Sequence, residues 1–162
     1  MKWYEGLDEA MKHIAQAGGF VTVRDSRGRA NTMTASWCFA GYLWNMPQLI
    51  IAVRPERYTW ELLRNSDSFT MSVPFGSLSE ELKICGRQSG KNIDKAAVVD
   101  FAPAKAISSP IVVGCDIYYE CKIHYSDRLE GEHIPAFINE RHYNGVWHDL
   151  FFGEIVEVYT KF

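Results

Sequence analysis

The most informative stretch of this sequence reads Asn31-Thr32-Met33-Thr34-Ala35-Ser36-Trp37-Cys38. Its threonines and aromatic neighbours favour strand and loop over helix. In a strand, Thr32, Thr34 and Ser36 would lie on one face, because alternate side chains point the same way. Such a row of hydroxyls can contact a phosphate, and the indole of Trp37 offers a flat apolar wall beside it. The alternative interpretation is a threonine-rich surface strand.

A second polar stretch reads Arg54-Pro55-Glu56-Arg57-Tyr58-Thr59 and directly follows an apolar strand predicted over residues 49–53. Guanidinium groups match phosphate oxygens, and the start of a helix predicted over residues 58–64 adds free N–H groups. This pattern indicates an anion site. The alternative is a solvated arginine pair beside Thr59, which would then cap the helix.

A third polar stretch reads Cys85-Gly86-Arg87-Gln88-Ser89-Gly90-Lys91-Asn92-Ile93-Asp94-Lys95. Gly86 and Gly90 allow the backbone to approach a ligand closely. Ser89 and Lys95 add a hydroxyl and an ammonium group. The stretch does not match the P-loop pattern, and the dinucleotide pattern of Rossmann folds is absent as well. A polar surface loop is the alternative interpretation.

In this order, the three stretches resemble one family, the flavin reductase-like proteins of the FMN-binding split-barrel superfamily, which includes flavoredoxins and archaeal-type ferric reductases. Members typically show N-x-M-T-x-S-W, then R-x-x-R-x-T, then S-G-x-x-x-D-K, and a final strand with G-E-[VI]. The resemblance runs from about residue 20 to residue 159. The matching residues are Asn31, Met33, Thr34, Ser36, Trp37, Arg54, Arg57, Thr59, Ser89, Gly90, Asp94, Lys95, Gly153, Glu154 and Ile155.

The resemblance implies a mainly β fold, an FMN-binding split β-barrel of Greek-key type with a few short helices, in a single domain over residues 1–162. The patterning agrees, because many short strands without regular βα alternation are typical of a barrel. Helices are predicted over residues 4–17, 58–64 and 79–85. Strands are predicted over residues 20–23, 49–53, 69–73, 111–113, 117–125 and 150–159, and another is predicted from about residue 30.

The resemblance also implies which residues would hold FMN. The expected phosphate contacts are Thr34, Ser36, Arg54, Thr59, Ser89 and Lys95. The expected neighbours of the isoalloxazine ring are Met33, Ala35, Trp37 and Cys38. The predicted cofactor-binding set is completed by Arg57, Tyr58, Gly86 and Gly90.

A histidine often precedes the final G-E-[VI] of this family, and His148, five residues before Gly153, occupies that position. His148 is therefore the predicted catalytic residue, with His133 as the alternative. Residues 134–147, between the two histidines, form an insertion relative to the short turn of the family, and this insertion would cap the flavin or bind substrate. Cys38 is a second candidate for redox catalysis, although a free cysteine beside a tryptophan is more often a small buried hydrophobe.

Composition and charge argue against several functional classes. A net charge of −3 without a clustered basic face does not suit nucleic-acid binding, and the sequence has no apolar run of about 18 residues that would span a membrane. The N-terminal residues do not resemble a secretory signal, so a cytoplasmic location is predicted. Four scattered cysteines without metal-ligand spacing predict reduced thiols and no metal site. The resemblance implies a homodimer, and an aromatic content of 14% suits a subunit interface.

The function implied by the resemblance is that of an FMN-binding oxidoreductase of the flavin- or ferric-reductase type. Electrons from NAD(P)H or a reduced carrier protein would pass through bound FMN to free flavin, ferric complexes or another small acceptor. One alternative is a flavoredoxin-type electron carrier without NAD(P)H activity of its own. The other is a split-barrel domain that no longer binds flavin.

Overall fold

The computed structural model describes residues 1–161. Within this range the strands are Gly19–Arg24 (β1), Ala30–Ala35 (β2), Cys38–Leu43 (β3), Met46–Val53 (β4), Ser68–Val73 (β5), Phe101–Ala102 (β6), Ile111–Val112 (β7), Ile117–Arg128 (β8) and Asp149–Thr160 (β9). The α-helices are Leu7–Ala17 (α1), Tyr58–Leu63 (α2), Ser79–Arg87 (α3) and Ala136–His142 (α4). Short 3-10 turns cover Lys95–Ala97 and Gly131–His133.

Seven strands form one antiparallel sheet in the order β2-β1-β5-β8-β9-β4-β3. β2 and β3 lie at opposite edges of this sheet, yet only Ser36 and Trp37 separate them in the chain. The sheet must therefore curl until its edges meet. Beside this closure the amide of Ala52 donates to the carbonyl of Trp37 at 2.9 Å, which extends the pairing of β3 with β4 by one residue. The first polar stretch thus lies where the barrel closes.

Alternate side chains of the strands fill the interior of the barrel. On β8, Ile117, Tyr119 and Cys121 are buried in this core, as the alternation in the sequence predicts. α1 adds the buried Ala10 and Ile14 to the same cluster. The strands predicted over residues 20–23, 49–53 and 69–73 are also confirmed.

The other face of β8 is buried as well over its first half. Tyr118 stacks on Tyr159 with ring centroids 5.1 Å apart, within a second apolar cluster outside the barrel core. Glu120 is fully buried and accepts hydrogen bonds from the backbone amides of Lys105 and Ala106, both at 2.7 Å. Because the 104–110 segment covers this face, β8 does not alternate simply between core and solvent.

The alternative interpretation of Thr59, as the cap of α2, is wrong. Arg57 occupies the N-cap position of α2, and no side chain forms a capping hydrogen bond there. Thr59 is instead buried, and its Oγ1 accepts a hydrogen bond from Nδ2 of Asn31 at 2.9 Å. This contact joins the first polar stretch to the second.

Several element boundaries also differ from the sequence-based expectation. β2 ends at Ala35, so Ser36 lies in the link to β3 and does not continue the row of strand hydroxyls. α1 begins at Leu7 and not at residue 4, because Gly6 adopts a left-handed conformation with φ of 73°. α3 continues to Arg87, two residues beyond the predicted end.

Candidate functional site

The closure of the barrel brings the first two polar stretches together around one cavity. This cavity has a volume of about 200 Å³ and opens beside the link between β2 and β3. We call it the indole cavity, and its lining residues are Met33, Thr34, Ala35, Ser36, Trp37, Ala52, Arg54, Arg57 and His148. Residues from three distant parts of the sequence therefore meet here.

A second cavity of about 190 Å³ adjoins the first, because Met33 and Arg57 line both. We call it the loop cavity, and it brings in the third polar stretch. Its lining residues are Thr32, Met33, Glu56, Arg57, Tyr58, Thr59, Cys85, Arg87, Gln88, Ser89, Gly90 and Lys95. The three polar stretches thus form one continuous groove.

The two arginines of the second stretch point in different directions. Arg54 donates through Nη2 to the carbonyl of His142 at 2.6 Å, so its guanidinium lies beside the insertion. Arg57 donates through Nη1 to the carbonyl of Gly86 at 2.8 Å, at the end of α3. Because a guanidinium has five N–H donors, both arginines keep donors for a ligand.

Lys95 is buried, and its ammonium group bonds to the end of α3. Nζ donates to the carbonyl of Cys85 at 3.2 Å and to that of Gln88 at 2.5 Å. Burial lowers the pKa of Lys95. The lysine therefore satisfies carbonyl groups at a helix C-terminus, which also carry partial negative charge. Its predicted contact with a phosphate stays a prediction.

The hydroxyls of the groove differ in what they can still offer a ligand. Thr34 donates its proton to the carbonyl of Leu82 at 2.6 Å, so Thr34 keeps only acceptor capacity. Ser89 accepts from the amide of Lys91 at 3.2 Å, and its own proton is free to donate. Thr59, which accepts from an amide group, is likewise able to donate.

Trp37 and His148 form the wall of the indole cavity. Their ring centroids are 4.7 Å apart with the planes tilted by 35°. His148 is buried, and its Nδ1 lies 3.0 Å from the hydroxyl of Tyr143. Burial, reinforced by the positive charge of Arg54, lowers the pKa of His148 to about 4. The imidazole is therefore neutral at neutral pH.

The insertion at residues 134–147 packs against this wall. Trp37 contacts the rings of His142 and Tyr143 edge-on, with centroid separations of 5.3 and 6.4 Å. Asn139 holds the segment together, since its Nδ2 donates to the carbonyl of Gly131 at 2.8 Å and its Oδ1 accepts from Nε1 of Trp147 at 2.8 Å. The insertion is thus an ordered part of the site.

Residues 11–161 match the family model of the flavin reductase like domain. The chain belongs to this family. Two curated proteins are similar in sequence to this chain, and both are uncharacterised. That of Aeropyrum pernix is 30% identical over 96% of this chain and 54% of its own length. That of Pyrococcus abyssi is 24% identical over 70% of this chain and 65% of its own length. The chain therefore spans between half and two thirds of these relatives.

Solved structures with the same fold include flavoredoxin of Desulfovibrio vulgaris, with a TM-score of 0.70, 23% identity and coverage of 89% of this chain and 69% of that one. The FMN-binding protein from Thermus thermophilus with bound 1-cyclohex-2-enone has a TM-score of 0.69 and 25% identity, covering 88% and 69%. The NADH:FAD oxidoreductase of Streptomyces globisporus, in complex with NAD and FAD fragments, has a TM-score of 0.67 and 21% identity, covering 90% and 75%. The predicted split-barrel fold is confirmed.

Two residues of the predicted cofactor-binding set, Gly86 and Cys38, line neither cavity of this flavin reductase like domain. Gly86 offers its carbonyl to Arg57, as noted, and contributes no side chain. Cys38 packs against the barrel core, and burial raises its pKa to about 11. A neutral thiol is a poor nucleophile at neutral pH, which favours the packing role of Cys38 over the redox role.

Of the two candidate histidines, His148 lines the indole cavity. His133 is exposed on its 3-10 turn and lies 3.2 Å from a carboxylate oxygen of Glu130. Sequence reasoning missed the contact between Tyr143 and His148. Their spacing of five residues gives little indication of it, because the intervening chain must first turn back from α4.

Among residues 1–161, no helix is long and apolar enough to cross a membrane.

Proposed function

We propose that this chain is a flavin-dependent oxidoreductase that binds FMN along the groove and passes electrons from NAD(P)H or a reduced carrier protein to a small acceptor. Free flavin and ferric complexes are the acceptor classes that we favour. The observation that carries the proposal is the pairing of the two adjoining cavities. One has an indole wall, and the other combines cationic and hydroxyl donors.

The donor set of the loop cavity fits a phosphate. Arg57 retains N–H groups, and the hydroxyls of Thr59 and Ser89 accept from the protein and so remain free to donate. Charge-assisted donors of this kind suit the dianionic phosphate of FMN. The indole cavity fits the other end of the molecule, because Trp37 and His148 offer flat surfaces for a planar ring.

Bound flavin would supply the hydride and electron chemistry, which belongs to the cofactor. The residues of this chain would position it and set its surroundings. Arg54 places a positive charge beside the ring end, which favours negative charge there. His148 stays neutral and therefore offers a hydrogen bond without adding charge. The insertion packs against Trp37 at this end through Tyr143 and His142.

The first test is the absorption spectrum of the freshly purified protein, with chromatography of any released chromophore. We expect a flavin spectrum that FMN restores after removal. A colourless protein whose melting temperature does not change with excess FMN contradicts the proposal, because a ligand of the folded state must raise its stability.

Stopped-flow mixing with NADH and NADPH separates the reductase from the carrier. Fast reduction of the bound flavin supports an NAD(P)H-dependent reductase. Reduction only by a carrier protein supports the flavoredoxin-type alternative, in line with the similarity to a flavoredoxin. With a reductase, turnover with FMN or ferric acceptors then identifies the acceptor class.

Arg57→Gln is expected to weaken FMN binding by about 10- to 100-fold, since hydrogen bonds to a charged group contribute roughly 1.5–3 kcal/mol. Fluorescence titration measures the dissociation constant. The matched control is Arg64→Gln, because Arg64 lines neither cavity. Its guanidinium stacks on Trp60, with Cζ 5.0 Å from the ring centroid. If both variants bind FMN as the wild type does, the phosphate position is wrong.

We also propose that the chain forms a homodimer through an exposed aromatic patch at β3 and the adjoining β3–β4 turn. Trp44 lies 5.9 Å from Phe152, and Phe152 lies 5.3 Å from Tyr125, measured between ring centroids. Large exposed apolar patches are typical of protein interfaces. The exposed members of the patch are Phe39, Tyr42, Leu43, Trp44 and Tyr125.

Trp44→Glu is expected to convert the dimer to a monomer, because an interface centre does not accommodate an unpaired charge. Analytical ultracentrifugation measures the mass. The control Tyr4→Glu places the same charge at another exposed aromatic residue and should leave the dimer intact. A wild-type protein that is monomeric at every concentration contradicts this proposal.

We also propose that the protein acts in the cytoplasm, because its four free thiols suit a reducing compartment.

A further inference from the structure

We propose that Tyr143 is a positioning residue for His148. Its phenol donates a hydrogen bond to Nδ1 of His148 and so holds the imidazole as the tautomer that carries its proton on Nε2. The site then presents a neutral N–H donor beside Trp37. The proposal rests on the proposed function only for the identity of the bound molecule, because the hydrogen bond itself lies within this chain.

The position of Tyr143 is well defined by its neighbours. Its hydroxyl lies 3.0 Å from Nδ1 of His148, and the two rings are nearly perpendicular, at 79°. The guanidinium carbon of Arg54 lies 5.5 Å from the centroid of the phenol ring. The amide of Tyr143 donates to the carbonyl of Asn139 at 2.8 Å, which extends α4 by one hydrogen bond. The phenol is therefore fixed from two sides.

The direction of the hydrogen bond follows from the acceptors that the phenol can reach. Burial raises the pKa of Tyr143, so the phenol keeps its proton at neutral pH. Within residues 1–161, Nδ1 of His148 is the one hydrogen-bond acceptor that it contacts. If Nδ1 carried the imidazole proton, the phenol would donate to no protein atom. Donation to Nδ1 satisfies both groups and leaves the imidazole proton on Nε2.

This arrangement gives the insertion a chemical role in the site. With Nδ1 occupied, Nε2 is the nitrogen of His148 that remains for a ligand in the indole cavity. A neutral N–H donates to a carbonyl oxygen or a heterocyclic nitrogen, and an isoalloxazine ring contains both. Tyr143 would act on such a ligand only through His148.

The test compares Tyr143→Phe with the wild type by NMR of 15N-histidine-labelled protein at neutral pH, without added flavin. His148→Gln assigns the His148 signals among the five histidines. In the wild type we expect Nε2 to be protonated and Nδ1 to be an unprotonated acceptor. In Tyr143→Phe we expect the Nδ1–H tautomer to increase several-fold. The control Tyr4→Phe removes the hydroxyl of an exposed tyrosine that lines neither cavity, and it should not change His148.

Titration with FMN provides the second measurement. Tyr143→Phe should weaken binding by about 2- to 10-fold, which corresponds to the net value of one neutral hydrogen bond. A wild-type His148 protonated on Nδ1, or a tautomer ratio unchanged in Tyr143→Phe, overturns the positioning role. If FMN binds to neither protein, the proposed function fails, while the tautomer measurement still decides the role of Tyr143.

Discussion

Replacing Gly153 with alanine is expected to lower the free energy of unfolding by about 3 kcal/mol, the upper end of the usual range for overpacking a core. A Cβ at this position would lie 2.6 Å from Cε1 of Phe69 and 2.8 Å from Cβ of Cys121. Both neighbours are fully buried in the barrel. Because the Cβ of Cys121 is fixed to the backbone, a rotamer change does not relieve the overlap.

Urea denaturation of the Gly153→Ala variant measures this effect. Gly41→Ala is the matched control, because Gly41 is also a strand glycine and no described heavy atom lies within 4 Å of a Cβ built on it. The control should change stability by less than about 0.5 kcal/mol, as most surface substitutions do. If the two variants have similar free energies of unfolding, close packing at β9 does not explain why the G-E-[VI] motif has a glycine at residue 153.

Acidification from pH 6.5 to about pH 4 is expected to remove about 3 kcal/mol of stability through His148 alone. Its pKa falls from the ordinary value of 6.5 to about 4 in the folded protein. In this range the unfolded chain binds the proton and the folded chain does not, so stability decreases as the pH decreases. Below about pH 4 both states are protonated, and the loss is complete.

The groups around His148 determine this shift. Burial is the main cause, and Arg54 lowers the pKa further, while Glu56 and Asp149 act in the opposite direction. The phenol of Tyr143 stabilises the neutral imidazole by donating to it.

Denaturation at several pH values provides the measurement. His148→Gln should remove most of the slope between pH 6.5 and pH 4, whereas His133→Gln, at an exposed position, should retain it. Equal slopes in the wild type and His148→Gln would mean that the folded and unfolded states bind a proton at His148 equally over this range, so that burial does not lower its pKa.

Much of the fold and part of the site are predictable from local sequence. The short continuous apolar run at residues 49–53 identifies β4, because such a run is typical of a buried strand. The alternation at residues 117–123 identifies β8, because side chains of a strand alternate between its two faces. The motif order also predicts that Trp37, Arg54 and His148 belong to one site, and all three line the indole cavity. Each of these features depends on residue type and spacing.

The roles of individual polar groups were less predictable. The alternative interpretation of Thr59 is a helix cap, but Thr59 accepts a hydrogen bond from Asn31, which lies 28 residues earlier in the chain. The ammonium of Lys95 bonds to two carbonyl groups at the end of α3, which its sequence position does not indicate, and its contact with a phosphate stays a prediction. Hydrogen-bond partners that are distant in sequence depend on how the barrel closes.

The sequence by itself determined most of the barrel strands, the three polar stretches and the candidate histidine, because periodicity and motif spacing are properties of the chain. Only the tertiary structure decided that Ser36 and Trp37 join opposite edges of one sheet, and that the insertion brings Tyr143 to His148. The physical reason is that closing a sheet places residues side by side irrespective of their separation in sequence. Burial and hydrogen bonding at such a junction then set which donors and charges remain available to a ligand.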